Sequence, residues 1–213
     1  MKKIILLLSL LVFLLTTGIA SAQEQIADYF YPEGNSSYYV YKDNRDDASP
    51  VEKFNVRYER TNQGARLEED PPIPLIGNIT YSRPLEMVCY LLDISNSTVT
   101  ARTRWTQQKT SNKETPTPGD NVYHDLVLLK LPADKETVTW TTTLYKDGAI
   151  QQVWEMSAKR KLMPAKVNGS WIAVHALEVK RNVFDANHNP VPKANITEYW
   201  QKGKGKVKVV WNK

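Results

Sequence analysis

The feature that most restricts this chain is Asp147-Gly148, set between two long alternating runs. Residues 136–146 (ETVTWTTTLYK) put Val138, Trp140 and Leu144 on one face and Thr137, Thr139, Thr141, Thr143 and Tyr145 on the other. Residues 150–161 (IQQVWEMSAKRK) put Trp154, Met156 and Ala158 together. Alternation with period two lines the opposite faces of a strand, and Asp-Gly between two such runs is a strong hairpin signal. An isolated hairpin is marginal in water, so further strands must cover its apolar face.

The rest of the chain supplies them. Residues 37–42 (SYYVYK), 53–61 (KFNVRYERT), 98–105 (TVTARTRW), 170–184, 196–202 and 206–211 are rich in β-branched and aromatic side chains and bounded by turn residues. Residues 86–93 (EMVCYLLD) fit a buried strand or a single helix equally, because periodicity does not separate the two in so short a run. Two segments read as interruptions. Residues 62–77 hold Pro71, Pro72 and Pro74, which oppose regular pairing, and residues 106–121 have no aliphatic or aromatic side chain. The expectation is an all-β single domain over residues 23–213. It would be a strongly curved antiparallel sheet, or open half-barrel, of roughly ten strands with at most one short helix.

The first residues predict a cleaved signal peptide over 1–22. Lys2 and Lys3 precede an apolar run at residues 4–15, and Ala20-Ser21-Ala22 gives the small-x-small cleavage pattern. That run is too short to span a bilayer, and no cysteine follows it to take a lipid anchor. The mature chain is therefore expected to be exported, to the periplasm or beyond, with no membrane span. Losing Lys2 and Lys3 lowers the formal net charge from +5 to +3, too little for a nucleic-acid partner.

The chain closes on ITEYWQKGKGKVKVVWNK. Strict alternation there puts Val207, Val209 and Trp211 on one face and Lys206, Lys208 and Val210 on the other. The lysines are thus expected on the wet face of a terminal hairpin, keeping an edge strand soluble.

Chemistry-bearing motifs are scarce. No Gly-x-Ser-x-Gly, His-Glu-x-x-His or glycine-rich phosphate loop occurs, and zinc and calcium ligand spacings are missing, so no cofactor or metal site is expected. Cys89 sits in the apolar run MVCYLL as a core thiol. Asp43, Asp46 and Asp47 form a turn cluster without the glycine and glutamate of a calcium loop. The tryptophans are the one suggestive inventory. Trp105, Trp140, Trp154 and Trp171 are the candidate ligand-binding surface of a concave sheet, and core packing is the competing use of the same side chains. Trp140 and Trp154 can face the same side across their hairpin.

The function expected from these residues is a non-catalytic binding or envelope-maintenance protein that holds a hydrophobic ligand, a lipid, on a concave sheet. A carbohydrate-binding or adhesion module with a glycan ligand is the alternative. A hydrolase with a dispersed site would have to use His124 or His175. The two ends of the chain carry a resemblance. DYFYPEGNSSYYVYKDN (residues 28–44) and ITEYWQKGKGKVKVVW (residues 196–211) are similar to the opening and closing motifs of the DUF3108-like group of exported bacterial proteins of unknown function. The resemblance implies a strongly curved, mostly antiparallel sheet, somewhat like the open barrels of lipoprotein carriers, and brings no catalytic residue.

Overall fold

The computed structural model describes residues 24–43, 45, 48–62, 64–75, 86–108, 115–117 and 121–212. The expected leader, and the middle of the 106–121 segment, lie outside the described residues. A short 3-10 turn, Ile26–Asp28, is followed by twelve strands. They are β1 (Gly34–Tyr41), β2 (Glu52–Thr61), β3 (Gly64–Glu69), β4 (Ile73–Pro74), β5 (Glu86–Ile94) and β6 (Thr98–Gln108). Then come β7 (Val122–Lys130), β8 (Thr137–Lys146), β9 (Ala149–Val167), β10 (Ser170–Asp185), β11 (Ile196–Gln201) and β12 (Gly205–Trp211).

All belong to one sheet in the order β7-β6-β5-β3-β2-β1-β12-β11-β10-β9-β8, with β4 beside β2. The all-β reading holds, and residues 86–93 are strand. The interruption expected over residues 62–77 is corrected: β3 pairs there with both β2 and β5. Pro71, Pro72 and Pro74 come after the end of β3, and β4 touches only β2, where a missing N–H costs least. One pairing is parallel, β1 against β12 with Val40 opposite Val209. It joins the first strand to the last.

The sheet curls until its outer strands meet, which makes it a nearly closed barrel. Side chains on β8 close the seam: Trp140 Nε1–H and Thr142 Oγ1–H both donate to the carbonyl of Val127 on β7, at 3.0 and 2.9 Å. Alternation fills the inside with Tyr58, Leu67, Leu92, Ala101, Leu126, Ala158, Leu177 and Val179, all buried. The N-terminal segment plugs one end. Ile26 and Tyr29 are fully buried, Ile26 N–H donates to the carbonyl of Asn96, and Phe30 stacks on Trp200 at 5.6 Å. Glu24 ties the plug to the wall through Arg160 and Lys202. Gly205 at the foot of β12 has φ +80°, and a Cβ there would stand 2.4 Å from the ring of Tyr31.

Cys89 lies on the outer face of the sheet, in a small separate cluster with Met87 and Trp105. Burial, with Glu68 nearby, pushes its thiol up to about 12. Alkylation requires the thiolate, so the native thiol should react with iodoacetamide about a thousandfold more slowly than an unfolded cysteine near 8.5. Mass spectrometry of labelled native and denatured protein reads this directly. Comparable labelling in both would contradict the buried placement.

Candidate functional site

The barrel interior is not uniformly apolar. A bulge decides this: Tyr199 pairs with Lys208, but Trp200 pairs with Lys206, so Val207 has no opposite number. The extra residue reverses the alternation and turns Lys206 inward, beside Val209. The wet-face expectation is corrected for Lys206, which is buried, while Lys208 faces out over Tyr41 and Tyr199.

Lys206 Nζ lies 2.8 Å from Glu69 Oε1 on β3 and 3.7 Å from Glu198 Oε1 on β11. It also stands over the rings of Tyr38, at 4.2 Å, and Trp200, at 5.4 Å. Tyr90 Oη–H donates to Glu69 Oε2 at 3.2 Å, and Trp200 Nε1–H to Glu198 Oε2 at 3.1 Å. Each carboxylate therefore has a cation and a hydrogen-bond donor, which a buried charge requires. Burial is the largest single influence and opposes the charge on Lys206, but Glu69, Tyr38, Tyr31 and Glu198 together outweigh it and hold the ammonium well above its usual range. Burial likewise opposes the charge on Glu69, but Lys206 and the Tyr90 hydroxyl hold it below the usual carboxylate range. Tyr31 and Tyr38, buried among these carboxylates, are pushed well above the usual phenol range, chiefly by burial. The Tyr31 hydroxyl finds no partner among the described residues.

Away from the plug, this cluster forms the floor of a chamber of about 290 Å³. Phe54, Val88, Leu128, Trp154, Met156, Ile196 and Val209 wall it, and Trp211 stands partly exposed at its rim. Two guanidinium groups enter the wall. Arg181 on β10 lies over the ring of Trp154 at 4.6 Å. Arg104 on β6 lies over Tyr123 and Tyr90 at 5.5 and 5.9 Å. The Nε of each is buried and donates to no acceptor among the described residues. Glu52 is the third carboxylate of the lining, beside Glu69 and Glu198.

The four candidate tryptophans are not brought together. Trp154 lines the chamber; Trp140 shares its face, as expected from the hairpin, but is spent on the seam. Trp105 is fully buried on the opposite face of the sheet, beneath Arg66 at 6.0 Å. Trp171 is 72% exposed on the β9–β10 hairpin. Sequence reasoning missed Lys206, Glu69, Glu198, Arg104 and Arg181. A period-two pattern offers no sign of a one-residue bulge, and Arg104 looks like one more charged residue of a half-exposed strand.

His124 sits on the outer face opposite Thr103, and His175 is at the root of the β9–β10 hairpin tip. The third histidine, His188, stacks on Phe184 in a turn, 3.6 Å from Glu155. No group of three or more His, Cys, Asp or Glu side chains suited to a metal occurs among the described residues. No helix among them is long and apolar enough to cross a membrane. Searches for similar proteins find no matching family model, no matching curated protein and no matching solved structure.

Proposed function

We propose that this protein is an exported, non-catalytic binding protein whose barrel chamber holds a compact ligand with an apolar body and an acceptor-bearing head. The observation that carries the reading is the pair of buried guanidinium Nε atoms, on Arg104 and Arg181, that meet no acceptor among the described residues, in a wall that mixes these charges with apolar side chains. A guanidinium is donor-only, and leaving a buried donor unpaired costs about 1–3 kcal/mol, so a ligand that supplies the acceptor recovers that energy. A carboxylate is the strongest such acceptor. The apolar body would sit against Phe54, Leu128, Trp154 and Ile196, gaining roughly 25 cal/mol for each Å² withdrawn from water. About 290 Å³ lies at the small end of ligand sites, which suits a short acyl chain better than a whole lipid.

Of the candidate tryptophans, this reading keeps Trp154 as a ligand contact. The glycan alternative would use the outward row Thr137, Thr139, Thr141 and Thr143, but the neighbouring Trp140 and Trp154 turn inward, so that face lacks the exposed tryptophans such a site stacks sugars on. The similarity of the chain ends to DUF3108-like exported proteins is consistent with the reading and adds no site residue to it.

Calorimetry with decanoate and with decylammonium tests the proposal. Decanoate should bind and decylammonium, which lacks an acceptor, should not. Arg181→Met should weaken decanoate by at least about tenfold, the equivalent of one charge-assisted bond. Equal binding of both amphiphiles, or of neither, would sink the acceptor-head reading. Native mass spectrometry of protein purified gently from its own envelope would then identify the ligand it carries.

A further inference from the structure

Beyond Lys159 and Ala176, β9 and β10 leave the barrel wall. β8 follows β9 only as far as Lys159, and β11 meets β10 only from Ala176 onward. Residues 160–167 and 170–175 therefore run on as a two-stranded ribbon, with both outer edges outside any strand ladder of the described residues. The ribbon projects from the plugged end, away from the chamber. At its root Lys202 N–H donates to the carbonyl of His175 at 3.0 Å.

The two edges differ in chemistry. The β9 edge carries Pro164, Lys161 and Lys166, the residues that discourage a strand from pairing further. The β10 edge, Ser170-Trp171-Ile172-Ala173-Val174, carries neither charge nor proline, and Trp171 and Ile172 stand exposed on it. The direction of its free hydrogen-bonding groups follows from the turn. Asn168 and Gly169, with φ of 49° and 85°, make a two-residue hairpin loop. Val167 and Ser170 are then the first bonded pair, and alternation along the ladder leaves the N–H and C=O of Trp171 and Ala173 aimed outward. The same parity aims the carbonyl of His175 outward, where Lys202 meets it.

We propose that this edge is a self-association surface, pairing antiparallel with the same edge of a second copy about a twofold axis at Ile172. In that register Trp171 of each copy opposes Ala173 of the other, and both such pairs exchange their outward hydrogen bonds. The Trp171 indole packs on Ala173 and Pro164 of the second copy, because residues opposed across a ladder share a face. Ile172 faces its own counterpart. The interface is self-complementary and closes at the dimer, since only Pro164-bearing edges remain outside. It is also small beside the roughly 1,600 Å² of a standard stable interface, so the dimer is reversible and depends on concentration.

Sedimentation equilibrium of the mature protein over a concentration series tests this. Ala173→Pro removes only an outward N–H and should raise the dimer dissociation constant by about tenfold or more, with far-UV circular dichroism unchanged. Ile172→Cys places two thiols opposite each other at about 4.5 Å between Cα atoms, within disulfide range. Diamide should convert it to a covalent dimer, whereas Ser170→Cys, opposite Val174, should associate reversibly and give no covalent dimer. A monomer at every concentration overturns the proposal, as does a dimer indifferent to Ala173→Pro and not trapped by Ile172→Cys. A monomer that binds vesicles of anionic lipid through Trp171 also overturns it and assigns the ribbon to a membrane surface instead.

Discussion

Lys206→Met is expected to lower the unfolding free energy by about 3–5 kcal/mol and to reverse the effect of acid on the fold. The methionine keeps most of the side-chain volume, so the loss is electrostatic rather than a cavity. It leaves Glu69 and Glu198 buried without their shared cation. In the native protein Glu69 is held below its ordinary value of 4.5. A group depressed in this way stabilises the fold above its unfolded pKa, and that stability is lost as pH falls through the folded value. Acid should therefore weaken the native protein below about pH 4.5. Without Lys206 the dominant influence on Glu69 is burial, which raises it. A raised carboxylate is favoured in its protonated form in the folded state, so the variant should gain stability as pH falls from neutrality. At the alkaline end the sign is set by Lys206, raised above 10.5 in the native protein. Its contribution is complete below that value and disappears as pH rises through the folded pKa. Urea titrations of both proteins from neutrality down to pH 4 check the acid arm. Parallel pH profiles would mean that Glu69 does not depend on Lys206.

Trp140→Ala should cost about 3–5 kcal/mol and should open the barrel along one line. The indole is only 8% exposed within the core, and its N–H is one of two donors that bridge β8 to the Val127 carbonyl. Truncation therefore leaves a void and loosens the junction of β7 with β8. Trp140→Phe separates the two contributions: it keeps most of the ring and should cost about 0.5–1.5 kcal/mol for the hydrogen bond, beyond any packing change. Chemical denaturation measures the totals, and amide exchange locates them. In Trp140→Ala the protection lost should concentrate in β7 and β8, while β10 and β11 keep theirs. A loss under about 1 kcal/mol with unchanged exchange would show that the seam does not rest on this side chain.

Much of the fold was legible because its strongest strands are locally self-consistent. Residues 136–146 and 150–161 alternate cleanly about Asp147-Gly148, and β8 and β9 pair there with Trp140, Thr142, Trp154 and Met156 on one face. The strands that escaped notice have specific reasons. β3 was hidden by three prolines that follow it, although Gly64–Glu69 itself has none. β7 (Val122–Lys130) lacks regular alternation: Asp125 has φ 54° and a register shift lies between Val99 and Thr100 on β6 opposite it. Residues 86–93 were open between two states because a strand that buries one face and partly covers the other looks continuously apolar. The chamber was the least legible part. Its polar floor depends on a single unpaired residue, Val207, and its Arg104 and Arg181 stand on strands separated by 76 intervening positions in the chain (181 − 104 − 1). Local pattern carries no information about either.

The parallel β1–β12 pairing also bears on how fast this chain acquires its structure. Val40 meets Val209, so the sheet cannot join its first strand to its last until nearly the whole chain is available, and the entropy of that closure comes before any reward from the contacts. Sheets dominated by such distant pairings fold in milliseconds to seconds rather than microseconds. Until then the β1 edge remains open to other strands, so the period of greatest aggregation risk is set by the arrival of β12, the strand that also brings Lys206 to its buried carboxylates.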